Sequence, residues 1–352
     1  MHAGTPDHAP TPIRHDPASS AGVSRRRLVG YLAAAPALYL ASQVGLGAIS
    51  PTIAAAAPIP RTPTQTDFHE LEGPVITSYA TAPVRTVTAG GTTYTYRELG
   101  PKGGTPVVFF VHLAGTLDNW DPRIIDPIAA HRHVITFDNK GVGASTGSVP
   151  GTIEEAADDA YTFIKALGFD LIDVFGFSMG GMIAQDLVLK HPNLIRKLVL
   201  TGTGPRGGKD MDKVVGVTYN DIVRATLTGE DPKEYLFFKR NATGRRAAKA
   251  FIKRLQERVV DRDQPISVEA FETQLNAIVT FGRSAPSDLS VITQPTLIAN
   301  GDEDRMVPSV LSEDLHRRIK GSKLVIYPDS GHGGIFQFHE KFAPVAVEFL
   351  GR

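Results

Sequence analysis

Between Val84 and Leu350 the chain alternates two hydrophobic rhythms. Val84–Thr88 and Thr92–Leu99 flank Gly90-Gly91 and predict two strands about a glycine turn. Pro106–Val111 is a continuous apolar run, as expected of a strand buried on both faces. Val134–Phe137, Leu171–Phe175, Leu198–Leu200, Thr296–Ala299 and Leu324–Tyr327 continue the series. Helical spacing fills the intervals, over Ile153–Leu167 and over Met179–Lys190, where His191-Pro192 stops it. Buried strands separated by helices predict an α/β fold, a mostly parallel central sheet flanked by helices, with right-handed crossovers.

One interval departs from this rhythm. Residues 205–290 keep helical spacing without a convincing buried strand, and Ala248, Phe251, Ile252, Leu255 and Val259 share a helical face. A helical cap inserted over the carboxyl edge of the sheet is expected, because open α/β sheets take their ligands at that edge. The core then comprises 84–204 and 291–352. Lys239 to Arg258 carries eight basic residues against the single acid Glu257, which predicts a solvated outer face on the cap helix. Attraction of an anionic substrate is the alternative.

The N-terminal portion follows other rules. Ser24-Arg25-Arg26-Arg27 precedes 33 residues, Leu28 to Pro60, without Asp, Glu, Lys or Arg, and small residues follow at Ala54–Ala57. Basic, apolar and small-residue regions in that order make residues 1–60 an export signal. The adjacent arginines resemble a twin-arginine signal, which implies the twin-arginine export machinery as a partner and a secreted or cell-envelope location. Leu28–Ser50 is long enough to span a bilayer, but Pro36 and the Ala/Gly content argue against a stable membrane anchor. Residues 61–83, rich in Pro and Thr, are expected to be a surface linker.

Composition narrows the chemistry. Among 352 residues, 37 Lys and Arg balance 37 Asp and Glu, so the basic footprint of a nucleic-acid binder is missing. Cysteine is absent, which removes disulfides, thiol nucleophiles and thiolate metal sites. No H-E-x-x-H, P-loop or helix-opening G-x-G-x-x-G occurs, so neither metal nor cofactor is expected.

Asp173 to Gly181 reads as strand, tight turn and helix, with Ser178 at the tip of Gly176-Phe177-Ser178-Met179-Gly180. A serine held there needs strained backbone, and side chains two residues away on either side would collide, hence the glycines. The following helix aims its free N–H groups, that of Met179 included, at the place where an oxyanion would form. A serine hydroxyl needs a base, and the base needs a carboxylate. His332, in a glycine-rich loop after the last strand, is the one histidine of eleven in a suitable position. His131, His133, His191, His316 and His339 are expected at the surface, and His112 as a loop-stabilising residue. The carboxylate comes from the loop after Thr296–Ala299, which offers Asp302, Glu303 and Asp304. Trp120 is expected to anchor the loop that follows His112, with lining of the pocket as the alternative.

The elbow Gly176–Gly181, together with Gly331-His332-Gly333, resembles the α/β-hydrolase family over about Val84 to Leu350. In that family the triad acid lies in a G-x-x-D-x-x-V-P loop, and Gly301 to Pro308 matches, so the resemblance selects Asp304. Asp138 to Ser145 is similar to the family's D-x-R-G-x-G-x-S turn, with Lys140 in the place of Arg. His112-Leu113-Ala114 stands where the family has His-Gly-x, which implies Ala114 as the second oxyanion donor and leucine in place of the usual glycine. The implied activity is hydrolysis of a small ester or lactone through an acyl-enzyme. Cofactor-free haloperoxidase (perhydrolase) or carbon–carbon bond hydrolase chemistry on the same triad is the alternative, and a non-catalytic binding protein is a third reading.

Overall fold

The computed structural model describes residues 75–351, besides Met1; the export signal and most of the proposed linker lie outside the described residues. Eight strands form one sheet: β1 (Val84–Ala89), β2 (Thr92–Leu99), β3 (Val107–Phe110), β4 (Val134–Phe137), β5 (Ile172–Phe177), β6 (Ile195–Thr201), β7 (Thr296–Gly301) and β8 (Lys323–Tyr327). Their order is β1-β2-β4-β3-β5-β6-β7-β8. β2 pairs antiparallel with both β1 and β4, and every pairing from β4 to β8 is parallel. The runs of consecutive apolar residues occupy β3, β4, β5 and β7, buried at every position because helices cover both faces.

The helices on these faces are α1 (Pro122–Ala129), α2 (Ile153–Ala166), α3 (Met179–Lys190), α8 (Ser309–Arg318), α9 (Gly334–Gln337) and α10 (His339–Leu350). The start of α2 follows from Thr152, whose side chain accepts from the Glu155 N–H. Helix α3 is buried along nearly its whole length and so lacks a polar stripe. Between β6 and β7, among the described residues, lie only helical elements and loops. The α-helices here are α4 (Val214–Thr228), α5 (Pro232–Leu236), α6 (Ala242–Leu255) and α7 (Val268–Arg283).

Four expectations need correction. Helix α6 ends at Leu255, and Val259 is 82% exposed rather than on the buried face, because Gln256 closes the helix and the chain turns away. The basic residues of 239–258 are not all solvated: Arg254 pairs with buried Asp121 at 2.7 Å, and Arg258 donates to the Ala82 carbonyl at 2.8 Å. His133 is buried, its Nε2 lying 3.1 Å from Glu98, because it enters β4 beside β2. The end of the supposed linker is core: Tyr79 and Ala82 are buried, and the Tyr79 hydroxyl donates to the Leu117 carbonyl at 2.6 Å. A tyrosine that finds an acceptor for its hydroxyl can bury its ring, which composition alone did not reveal.

Candidate active site

Ser178 stands between β5 and α3 with φ 57° and ψ −118°, a conformation that costs a non-glycine residue about 1–3 kcal/mol. The surroundings hold it there. Its N–H donates to the Thr201 carbonyl at 2.8 Å, and its carbonyl accepts from the Gly181 N–H at 2.9 Å. Gly180 packs so closely under β3 that a Cβ would run into the Phe110 carbonyl oxygen. A side chain at that position would therefore push α3 off the sheet and dissolve the turn. The Met179 N–H, in the first turn of α3, has no acceptor among the described residues.

His332 follows β8, as the chain order requires. Its Nδ1 lies 2.7 Å from Asp304 Oδ2. Asp304 is held in turn: its Oδ1 accepts from the N–H groups of Met306 at 2.8 Å and Val307 at 3.0 Å. A carboxylate fixed on one oxygen by two amides presents the other in a single direction, which orients the imidazole. The two neighbouring acids are engaged elsewhere. Asp302 accepts from the Asp329 and Ser330 N–H groups, and Glu303 pairs with Lys239. Of the three acids in the loop, Asp304 alone meets the histidine.

The imidazole reaches the serine turn through packing. Its ring lies 4.9 Å, centroid to centroid, from that of Phe177, the residue before Ser178. Gly202, which follows the Thr201 that binds Ser178, has φ +53°, and a Cβ there would sit 3.2 Å from His332 Cε1. The structure records no hydrogen bond between the Ser178 hydroxyl and His332, a contact that often tightens only with substrate in place. Phe237, just after α5, packs on the same ring at 5.4 Å, and its carbonyl accepts from the Gly333 N–H at 2.7 Å. The helical insertion thus braces the histidine loop.

The loop after β3 carries the other donor position. Ala114 adopts φ 60°, and its N–H is already engaged, donating to Gln274 Oε1 of α7 at 2.8 Å. His112 is buried and its Nδ1 donates to the Leu113 carbonyl at 2.7 Å, which leaves Nε2 bare and without a partner. Burial pushes its pKa down to about 3, so the ring is neutral. Trp120 is buried against Phe109 and Phe175 in edge-to-face contacts, the anchoring role expected of it.

Gln274 escaped the reading of the sequence, although a signal existed. It interrupts the apolar face of α7 formed by Ala270, Phe271, Ala277, Ile278 and Phe281. Asp263 was missed for want of any signal. A Cβ on Gly143 would lie 2.6 Å from both Asp138 Oδ2 and Asp263 Oδ2, so the two carboxyls converge there. Burial first, then the charge of Asp263, raises the Asp138 carboxyl well above the usual carboxylate range.

Two clefts differ in their relation to these groups. One of about 480 Å³ is lined by Leu236, Phe238, Arg240, Arg305, Asp304 and His332. A larger open groove, about 990 Å³, lies between α1 and α10 and touches none of the expected site residues. The smaller one reaches His332 and Asp304, whereas Ser178, Met179 and Ala114 are not part of its lining. No group of three or more His, Cys, Asp or Glu among the described residues is arranged to hold a metal ion.

This sheet order, the serine turn and the histidine loop define a class of protein. Residues 105–338 match the model of the alpha/beta hydrolase fold family, and the chain belongs to that family. It is similar to an alpha/beta hydrolase fold protein from Chitinophaga pinensis, with 37% identity, a TM-score of 0.74, and coverage of 78% of this chain and 98% of that one. Among curated relatives, a putative carbamate hydrolase RutD of Azorhizobium caulinodans is 28% identical, over 74% of this chain and 97% of its own. A putative non-heme chloroperoxidase of Synechocystis is also 28% identical, over 72% and 94% respectively.

Proposed function

We propose that this hydrolase is an exported serine esterase that cleaves carboxylic esters or lactones through Ser178, Asp304 and His332. The observation that carries the proposal is the 2.7 Å contact from His332 Nδ1 to an Asp304 carboxylate clamped by two backbone amides. A carboxylate can only accept, so Nδ1 carries the proton and Nε2 is left as the base. Ser178 Oγ then attacks the acyl carbon while Nε2 takes its proton. The carbonyl π pair moves onto oxygen, where the N–H groups of Met179 and Ala114 receive it. Collapse expels the alcohol, which takes the proton from Nε2, and leaves Ser178 acylated. Water repeats the sequence with His332 as base, releasing the acid and restoring the serine. In a lactone the expelled alcohol remains part of the acyl group, and the last step releases a single hydroxy acid.

The similarity to a putative chloroperoxidase supports a second use of the same acyl-enzyme. Hydrogen peroxide in place of water would release a peracid. Residues 1–60 are proposed as the twin-arginine leader, cleaved or not, that delivers the folded enzyme to the cell envelope or beyond.

A fluorophosphonate probe and a panel of aryl esters and lactones test the central reading. Labelling at Ser178 and ester turnover are expected in the natural chain, and both should vanish in Ser178→Ala. Turnover by that variant above about a hundredth of the natural rate would refute the covalent route.

A further inference from the structure

We propose that Gln274 is a gate on this site: its side-chain carbonyl occupies the Ala114 N–H in place of a substrate carbonyl and must swing away before an ester is bound. The inference rests on the reading of Ser178 as nucleophile and of Met179 and Ala114 as oxyanion donors.

Three observations converge on it. The Ala114 N–H to Gln274 Oε1 distance is 2.8 Å, and the contact joins the loop after β3 to a helix 160 residues away. Gln274 also shares a narrow cavity with Met179, Asn139, Thr152, Ile153 and Ala277, whose free volume of about 10 Å³ is too small for any acyl group. Ala114 thus meets this carboxamide directly, and Met179 lines the same small cavity as Gln274. Finally, Ser178 is only 5% exposed and Gln274 4%, so the nucleophile sits behind a closed door.

The chemistry of the plug explains why it can yield. A carboxamide carbonyl is a planar, neutral acceptor, like the ester carbonyl in its ground state. It competes with substrate for the same N–H. It competes poorly with the tetrahedral oxyanion, because hydrogen bonds to a charged acceptor are about twice as strong. The gate costs the same opening free energy in the bound ester and in the transition state, which raises KM and leaves kcat unchanged. An amide carbonyl on an apolar helix face is otherwise a costly choice, since a buried acceptor needs a partner; the Ala114 N–H is that partner.

The test uses the full chain, p-nitrophenyl acetate and a fluorophosphonate probe. Gln274→Ala is expected to lower KM about fivefold, the worth of one neutral hydrogen bond, with kcat unchanged within about twofold. The second-order rate of phosphonate labelling should rise by a similar factor. Gln274→Met, which keeps the length and loses the acceptor, should do the same and serves if the alanine variant fails to fold. Gln274→Glu should slow labelling about tenfold at alkaline pH, with recovery as the carboxyl is protonated. Unchanged KM and labelling in the alanine and methionine variants would overturn the gate. So would a fall in kcat, which would make Gln274 a support for the Ala114 loop. If the natural chain neither labels nor turns over ester, the esterase reading has failed, which is a different result from gate variants that match an active natural chain.

Discussion

Replacing Asp304 by asparagine probes the proposed relay at its best-defined joint. The change is isosteric, so its effect is decided by which end of the carboxamide faces His332. Asp304 Oδ1 accepts two backbone N–H groups, from Met306 at 2.8 Å and Val307 at 3.0 Å. The amide oxygen must stay there, because turning the NH2 toward two donors forfeits two hydrogen bonds, each worth about 1 kcal/mol, and adds donor–donor repulsion. The NH2 therefore lands where Oδ2 was, 2.7 Å from His332 Nδ1, and donates to it. Nδ1 becomes an acceptor, the imidazole proton moves to Nε2, and the base is lost. A cost of about 2–3 kcal/mol to recover the working tautomer implies a kcat loss of about 30- to 150-fold from tautomer alone. Loss of the charge that stabilises the imidazolium should carry the total toward about 10⁴. The assay is kcat and KM for an aryl ester, alongside thermal unfolding. KM should change little and the fold should survive, since both backbone hydrogen bonds are kept. A variant that retains more than a tenth of natural kcat would show that Asp304 does not orient the base.

Two further expectations concern other parts of the chain. Because the Asp138 carboxyl is raised above its unfolded value, its contribution to stability is complete below the ordinary carboxylate range and is lost as pH rises through the folded pKa. Asp263→Asn removes the facing charge and should raise Tm at neutral and alkaline pH by roughly 2–4 °C, about 1 kcal/mol, and flatten the decline; a lower Tm at pH 7 would show that the acid pair is not a source of repulsion. In the proposed leader, Arg25→Lys with Arg26→Lys should hold the protein in the cytoplasm, as read by fractionation, and normal delivery of that variant would remove the twin-arginine assignment.

The amino-acid order alone determined those features that follow from local period and turn chemistry. Val134–Phe137 is β4 and Met179–Lys190 is α3, residue for residue, because an unbroken apolar run declares a buried strand, and helical spacing between the serine turn and His191-Pro192 brackets the helix. The serine turn was legible for a related reason: strained backbone between a strand and a helix leaves glycines at fixed offsets. The pairing of Asp304 with His332 was anticipated by resemblance, whereas its geometry rests on two amides of the same loop. Tertiary structure decided the rest. Period tells which face of a helix is buried but not what it meets, so Gln274 reads as a polar interruption of α7 until Ala114 is found against it. Likewise Arg254 and His133 count as surface charges until Asp121 and Glu98 are brought beside them. A buried polar group is defined by its partner, and here those partners lie 35 to 160 residues away along the chain.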